Sequence, residues 1–358
     1  MRQTLSLITT AFLTIGSLAA QGPMGPPDVP IDGATAKRVA LGSIDKLNAA
    51  YVFPEVADKM GAAIRERAAK NEYDSITSSR ALCEKLTRDL QAVSHDKHIR
   101  VVYSNDGFQR QGPPSAEDRE RNRKQAAFNN FGVEKVERLP GNIGYLDFRG
   151  FMQASLAQDT IAAAMNVLAH TDALIVDLRQ NGGGDPETVA FMTSYLYGSK
   201  PVHLNDLYFR PANQTTEWWT KADVPGKRFG PDKPVYILTS RRTFSAAEEF
   251  TYNLKALKRA TIVGENTGGG AHPGGVQSID EHFGIFVPSG RAINPITKKN
   301  WEGDGVQPDV ETQAPKALKT AHILALKGII EKMTDEERKK RFIAVQRDLE
   351  KELADLSK

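Results

Sequence analysis

Residues 173–178 read Ala-Leu-Ile-Val-Asp-Leu, and three consecutive glycines follow at 182–184. A strand with one wet face alternates apolar with polar side chains, so a run apolar at nearly every position must be covered on both faces. Such a strand belongs in the middle of a layered fold. Its neighbours agree. Gly144–Phe148, Val235–Thr239 and Ala260–Gly264 read as further buried strands, while Asp159–Leu168, Glu187–Tyr197 and Ala246–Leu257 carry helical patterning. Strand–helix alternation of this kind predicts a mixed α/β core.

The flanks differ from the core. Between residues 34 and 103 apolar side chains recur at three- and four-residue spacing, as in Val39, Ile44, Leu47 and Ala50, and again in Leu82, Leu86, Leu90 and Val93. An N-terminal helical domain is expected there, with a helix over Ala57–Lys70 after Pro54. Residues 104–128 are polar and contain Pro-Pro, which predicts a surface excursion with one charged helix. The core is assigned to 129–314, its part from 276 to 310 reading as short strands and turns, and residues 315–358 form a charged helical extension. At the other end, residues 21–33 are rich in proline and glycine and read as an unstructured leader. Residues 1–20 carry Arg2, then an apolar run ending in small residues around Ser17-Leu18-Ala19. That is the pattern of a secretory signal peptide, with a run short of the ~20 residues a spanning helix needs. The expectation is export to the periplasm or the medium, with no stable membrane insertion.

Charge and cysteine content narrow the chemistry. Lys+Arg 47 against Asp+Glu 44 leaves a formal charge of +3, too small to imply nucleic acid as a partner. With Cys83 alone, an intrachain disulfide and a Cys-rich zinc site are both excluded. No metal and no cofactor are expected; oxygens, nitrogens and backbone amides must do the work.

Two segments stand out. In Thr239–Phe250 a buried strand gives way to a short turn, and Ser245 stands where a helix begins. Free N–H groups and the positive end of the helix dipole would stabilise an alkoxide or oxyanion at that point. Ser245-x-x-Glu248 is equally a capping box, so the residues alone leave nucleophile and helix cap both open. The second segment is Asp177–Pro186, where Gly182, Gly183 and Gly184 let the backbone turn sharply and approach a substrate. It lacks the G-x-G-x-x-G and G-x-x-x-x-G-K-[ST] spacings of nucleotide sites. Among the histidines, His95 and His98 form an H-x-x-H pair without an obvious third metal ligand, and His98 or His272 would serve as a general base. His272 lies in a glycine-rich loop, Gly268–Gly275, and Glu302 in a turn-rich stretch where a carboxylate would orient an imidazole.

Together these segments resemble peptidase family S41, which includes the C-terminal processing proteases and the tricorn core protease. The D-x-R-x-N-x-G-G loop stands at Asp177–Gly184, the T-x-S-A-A-E block at Thr243–Glu248, G-E-x-T-x-G-G at Gly264–Gly270, and E-G-x-G-V-x-P-D at Glu302–Asp309. Tyr51–Met60 and Leu90–Val101 are similar to the amino-terminal module of the family's interphotoreceptor retinoid-binding-protein-like branch. The resemblance implies a crotonase/ClpP-like β-β-α core and a serine-type endopeptidase acting on polypeptides through an acyl-enzyme. Only about forty residues separate His98 from Gly141, too few for the PDZ domain of the Ser–Lys enzymes, and Gly270 stands where those carry lysine. The resemblance therefore implies Ser245 as nucleophile, His98 as base and Glu302 as its orienting carboxylate, with amides of Ala246 and of Gly183 or Gly184 as oxyanion donors. His272 is the alternative base. The same branch also implies a rival reading, a non-catalytic carrier of retinoids or fatty acids on the same scaffold. A third is an esterase using the same residues.

Overall fold

The computed structural model of the chain describes residues 28–108 and 115–356. The proposed signal peptide, the first part of the leader and residues 109–114 of the surface excursion lie outside them. Three helices come first, α1 (Gly33–Ala50), α2 (Pro54–Ala69) and α3 (Ser79–Ser94), then strand β1 (Arg100–Tyr103) and helix α4 (Ala116–Phe128). The core follows as β2 (Val133–Leu139), β3 (Ile143–Phe148), α5 (Ala154–Leu168), β4 (Ala173–Asp177), α6 (Pro186–Ser194), the hairpin β5 (His203–Phe209) and β6 (Gln214–Trp219), β7 (Val235–Thr239), α7 (Ala246–Ala256) and β8 (Thr261–Gly264). Strands β9 (Gly274–Ser278), β10 (Phe283–Pro288), β11 (Gly290–Ile293) and β12 (Val310–Glu311) lead into α8 (Ala314–Lys332) and α9 (Glu336–Asp355).

The main sheet runs β12-β8-β7-β4-β3-β2, parallel throughout except for β2, which returns antiparallel on β3. Strand β4 sits inside it, as its apolar run requires. Leu174 and Val176 face α5–α7 in a core with Leu146, Phe148, Ile161, Met165, Ile237 and Leu254. Ala173 and Ile175 face the other way, with Ile143, Tyr145, Leu238 and Val263, onto Ala317, Ala321, Ala325 and Leu326 of α8. Successive side chains of a strand point to opposite faces, so both layers draw on one continuous sequence run. Helix α9 has no buried residue and lies on α8 through Phe342, Val345 and Leu349.

Two features depart from the sequence expectations. The leader does not stay unstructured to residue 33. Ile31 N–H donates to Thr77 O at 3.0 Å and Ser79 N–H to Val29 O at 3.0 Å, while Asp28 accepts from Ser78 Oγ at 2.6 Å and Asp32 caps α1 through Thr35 N–H at 2.7 Å. Nor is the helical region complete by itself. Strand β1 pairs antiparallel with β10, Val101 opposite Ile285, in a three-stranded sheet β1-β10-β9. Phe283, Ile285 and Val287 thereby close the core built from Val39, Ile44, Leu47, Met60, Ile64, Leu82, Leu86 and Leu90. Strands β2 and β6 escaped the sequence reading because their side chains are largely charged or polar and exposed, leaving little apolar alternation to read.

Because β10 seals the helical core, Ile285→Ala should destabilise the protein by about 2–5 kcal/mol. It should also expose residues 33–94 to limited proteolysis, although they lie far away in sequence; urea melts with mapped cleavage sites check both outcomes.

Candidate active site

Strand β7 ends at Thr239 in the middle of the sheet, and the chain reverses over Ser240–Phe244 into α7. The turn is stitched to the glycine-bearing loop that leaves β4. Thr243 Oγ1 donates to Leu178 O at 2.8 Å, Ser240 Oγ to Arg179 O at 2.6 Å and Phe244 N–H to Asn181 O at 3.1 Å. Ser245 then takes φ 56° and ψ −122°, a region that non-glycine residues rarely enter. Backbone strain of that kind costs on the order of 1–3 kcal/mol and persists only where the surroundings enforce it. Here it sets a half-buried serine at the first turn of α7.

The facing loop comes as close as a backbone can. A Cβ on Gly183 would lie 2.7 Å from Ser245 Cβ and 2.9 Å from Ala246 N, so any larger residue would push the two segments apart. Gly183 N–H already donates to Asn181 Oδ1 at 2.8 Å, and Asn181 Nδ2 to Phe148 O at 2.9 Å. Of the two glycines expected to supply an oxyanion amide, Gly183 is thus committed to holding its loop. Gly184 is exposed and lines the same cavity as Ser245 and Ala246.

His98 arrives from the loop after α3. Its ring is buried, stacked on Phe286 (5.8 Å between centroids) and in tilted contact with Phe244 (4.6 Å), and neither ring nitrogen has a hydrogen-bond partner. Burial drives its pKa down to about 4, with His272 and Arg100 adding to the effect and Asp96 opposing it, so the imidazole is neutral near pH 7. His272 is engaged instead. Its Nδ1 lies 2.8 Å from Asp96 Oδ2 and 3.4 Å from Glu302 Oε2, and Asp96 Oδ2 also accepts from Tyr51 O–H at 3.2 Å. Glu302 Oε2 takes Ala271 N–H at 2.5 Å, while Oε1 is buried without a partner. Burial and the neighbouring Asp96 charge raise the Glu302 pKa to about 7, against the pull of His272 and the Ala271 amide. Burial also works on Asp96, but His272 and the other donors outweigh it and hold that carboxyl below its usual range. The structure therefore gathers Asp96, His98, His272 and Glu302 into one cluster. His95 is apart, an exposed left-handed cap at the end of α3, so the H-x-x-H pair is not one ligand set.

Three residues matter that the sequence reading passed over. Asp96 lies inside the Leu90–Val101 segment, where the sequence alone gives it no separate role. Glu248, read only as a capping partner, is fully buried and accepts from Ser245 N–H (2.9 Å), Gly269 N–H (2.6 Å), Gly270 N–H (2.8 Å) and Thr267 Oγ1 (2.5 Å). Glu249 is buried beside Ser245 in a small cavity with Leu207, Ala292 and Trp301, and burial raises its pKa to about 8. No sequence signal distinguishes it, because a second glutamate on a helix is ordinarily solvated. Position 270 is closed to a large side chain: a Cβ there would stand 2.2 Å from Phe244 Cζ and 2.6 Å from His98 Cε1.

Folded Glu249 binds its proton more tightly than an unfolded glutamate, whose pKa is about 4.3. The folded state thus holds more protons than the unfolded one from there to about pH 8, and stability falls as pH rises through that window. Glu249→Gln should therefore gain stability relative to the parent progressively between pH 5 and 8, read from denaturant midpoints. Glu248 and Glu302 titrate in the same direction, so a residual slope should persist in the variant.

Comparison with known proteins places this architecture. Residues 142–312 match the family model of peptidase family S41, and residues 35–130 match that of the N-terminal domain of Peptidase_S41 in eukaryotic IRBP. The chain is 26% identical over 182 residues to carboxyl-terminal-processing peptidase 1, chloroplastic, of Arabidopsis thaliana, covering 50% of this chain and 35% of that one. It is 29% identical over 179 residues to the C-terminal processing peptidase, chloroplastic, of Tetradesmus obliquus, covering 47% and 35%. It thus spans about a third of the length of these curated relatives. A lipoprotein from Streptococcus agalactiae shares the fold at 14% identity and a TM-score of 0.53, over 84% of this chain and 97% of that one. No helix among the described residues is long and apolar enough to cross a membrane. The two family matches run through both the helical module that carries His98 and the core that carries Ser245 and Glu302, and the chain belongs to peptidase family S41.

Proposed function

We propose that the protein is an exported serine-type endopeptidase that cleaves polypeptides through an acyl-enzyme on Ser245. The observation that carries this reading is the strained Ser245 at the start of α7, pressed against the glycine loop with the amides of Ala246 and Gly184 beside it. A plain helix cap needs neither the strain nor the close approach. In the proposed reaction Ser245 Oγ attacks the peptide carbonyl while His98 accepts its proton, and the carbonyl oxygen becomes an oxyanion held by Ala246 and Gly184 N–H. His98 then returns the proton to the amine as the carbon–nitrogen bond breaks, and water attacks the acyl-enzyme with His98 as base again. Removing one oxyanion donor typically costs about 2.7–4 kcal/mol.

His98 is favoured over His272 because its ring packs on Phe244, the residue before Ser245, with neither nitrogen hydrogen-bonded, whereas the His272 ring packs edge-on against Phe53 with Nδ1 at 2.8 Å from Asp96 Oδ2. A carboxylate oxygen of Glu302 lies within 4.8 Å of a His98 ring nitrogen, close enough to stabilise the imidazolium once it forms, although no hydrogen bond joins the two side chains. A lysine at position 270 would collide with His98 and Phe244, which supports Ser–His–Glu over Ser–Lys. The carrier reading finds less support. The cavity beside Ser245 holds about 40 Å³ and a second one, of about 320 Å³, is lined by Asp147, Arg149, Asp177 and Arg179. Neither offers the large apolar enclosure that a retinoid or fatty acid requires. Export rests on the sequence of residues 1–20.

A fluorophosphonate should add one stoichiometric mass to the parent protein and none to Ser245→Ala. His98→Ala should slow labelling by roughly 10²–10⁴-fold, the usual worth of a general base, and His272→Ala by less. A parent that stays unlabelled from pH 6 to 9 sinks the hydrolase reading.

The pH profile follows from the cluster. His98 is already neutral above about pH 4, so the acid limb should reflect Glu302, whose ionised form the imidazolium needs, near pH 7. Labelling should accelerate as pH rises through that point, and in Glu302→Gln the limb should flatten at a lower rate.

A further inference from the structure

We propose that Asp96, His98 and Glu302 also form a binding site for a divalent first-row transition-metal ion, and that occupancy silences the enzyme. One donor atom from each of the three residues lies within 4.8 Å of the others. Ligands of a tetrahedral zinc ion at 2.0–2.2 Å stand about 3.4 Å apart, so side-chain shifts of roughly 1 Å would close the set. What points to a ligand is the state of those atoms. His98 is only 6% exposed and yet neither ring nitrogen has a hydrogen-bond partner, Asp96 Oδ1 standing 3.9 Å from Nδ1, and Glu302 Oε1 is likewise buried without one. Buried polar atoms left unsatisfied are costly and rare in folded proteins.

The surroundings already orient the set. His272 Nδ1 lies at 2.8 Å from Asp96 Oδ2 and 3.4 Å from Glu302 Oε2; Tyr51 O–H adds to Asp96 Oδ2, and Ala271 N–H to Glu302 Oε2. Asp96 Oδ2 and Glu302 Oε2 are therefore both engaged. The other oxygen of Glu302 is unpartnered, and Asp96 Oδ1 accepts only from the His98 backbone N–H, at 3.0 Å, among the bonds seen here. Such outer hydrogen bonds orient the ligands of metal sites. Two neighbouring buried carboxylates repel, and a dication relieves that repulsion. One imidazole with two carboxylates and an open fourth position suits zinc and its neighbours in the row. Binding at this cluster stands on its own geometry; silencing rests on the reading of His98 as the base, since a metal-bound imidazole cannot accept the Ser245 proton.

The test uses the full chain, stripped of metal and titrated with Co²⁺. Expected is one equivalent bound with a visible absorption band several times stronger than that of aqueous octahedral Co²⁺, lost when Zn²⁺ is added. His98→Gln and Glu302→Gln should abolish the band, while His95→Ala, at the exposed helix cap, should retain it. An aqueous-type spectrum from the parent overturns the site, as does undiminished binding in both folded variants. These readouts need no turnover, so they stand or fall separately from the peptidase reading. In the second arm, stoichiometric Zn²⁺ should slow fluorophosphonate labelling roughly tenfold or more, the loss expected when a general base is withdrawn. A chelator should restore it; labelling unchanged in the zinc-loaded protein overturns the silencing.

Discussion

The buried carboxylate of Glu248 holds the candidate site together. It accepts hydrogen bonds from Ser245 at the turn into α7, from Thr267, and from the amides of Gly269 and Gly270. Four donors around one anion answer the desolvation that raises its pKa to about 7. They also anchor the strained serine to the glycine loop that leaves β8. Lys97 Nζ donates to Gly268 O at 2.5 Å and Trp301 Nε1 to Gly270 O at 2.7 Å, so the same loop meets the segments that bear His98 and Glu302. Removing the carboxylate would leave buried amides unpaired in the middle of this assembly, and its conformational consequences would reach Ser245, His98 and Glu302 alike.

Around that anchor the molecule is assembled from distant pieces. His98 follows α3, Ser245 opens α7 and Glu302 lies beyond β11. What brings the first to the others is the β1–β10 pairing, which makes the core of the helical module depend on Phe283, Ile285 and Val287. Close packing then excludes side chains where segments cross. Gly183 lets its loop touch Ser245, and Gly270 leaves room for Phe244 and His98. The rings of Phe244 and Phe286 shield the imidazole of His98, which explains its neutral state and its unpartnered nitrogens together.

Much of the fold was legible because it is written in periodicity. The run at 173–178 demanded a strand covered on both faces, and the three- and four-residue stripes of Val39–Ala50 and Leu82–Val93 demanded helices. Strand–turn–helix punctuation located Ser245 and the glycine loop. The charged edge strand β2 and the polar strand β6 were not legible, since their exposed faces carry no apolar pattern. The ordered start at Asp28–Asp32 was hidden for a related reason: proline and glycine usually signal irregular chain, and here hydrogen bonds to residues 77–80 order it.

The sequence by itself determined the layered α/β core, the helical flanks, the family and the short set of residues able to do chemistry, because strand and helix patterns and glycine turns are local properties. Only the tertiary structure decided how those residues are used. Two histidines of one chemistry, equally buried, become a His98 without a hydrogen-bond partner and a His272 held by Asp96 and Glu302. The same burial turns Glu248 into an anchor and makes Glu249 a carboxyl that keeps its proton to about pH 8. Those differences come from desolvation and from hydrogen bonds between segments tens to hundreds of residues apart, and no local pattern encodes either.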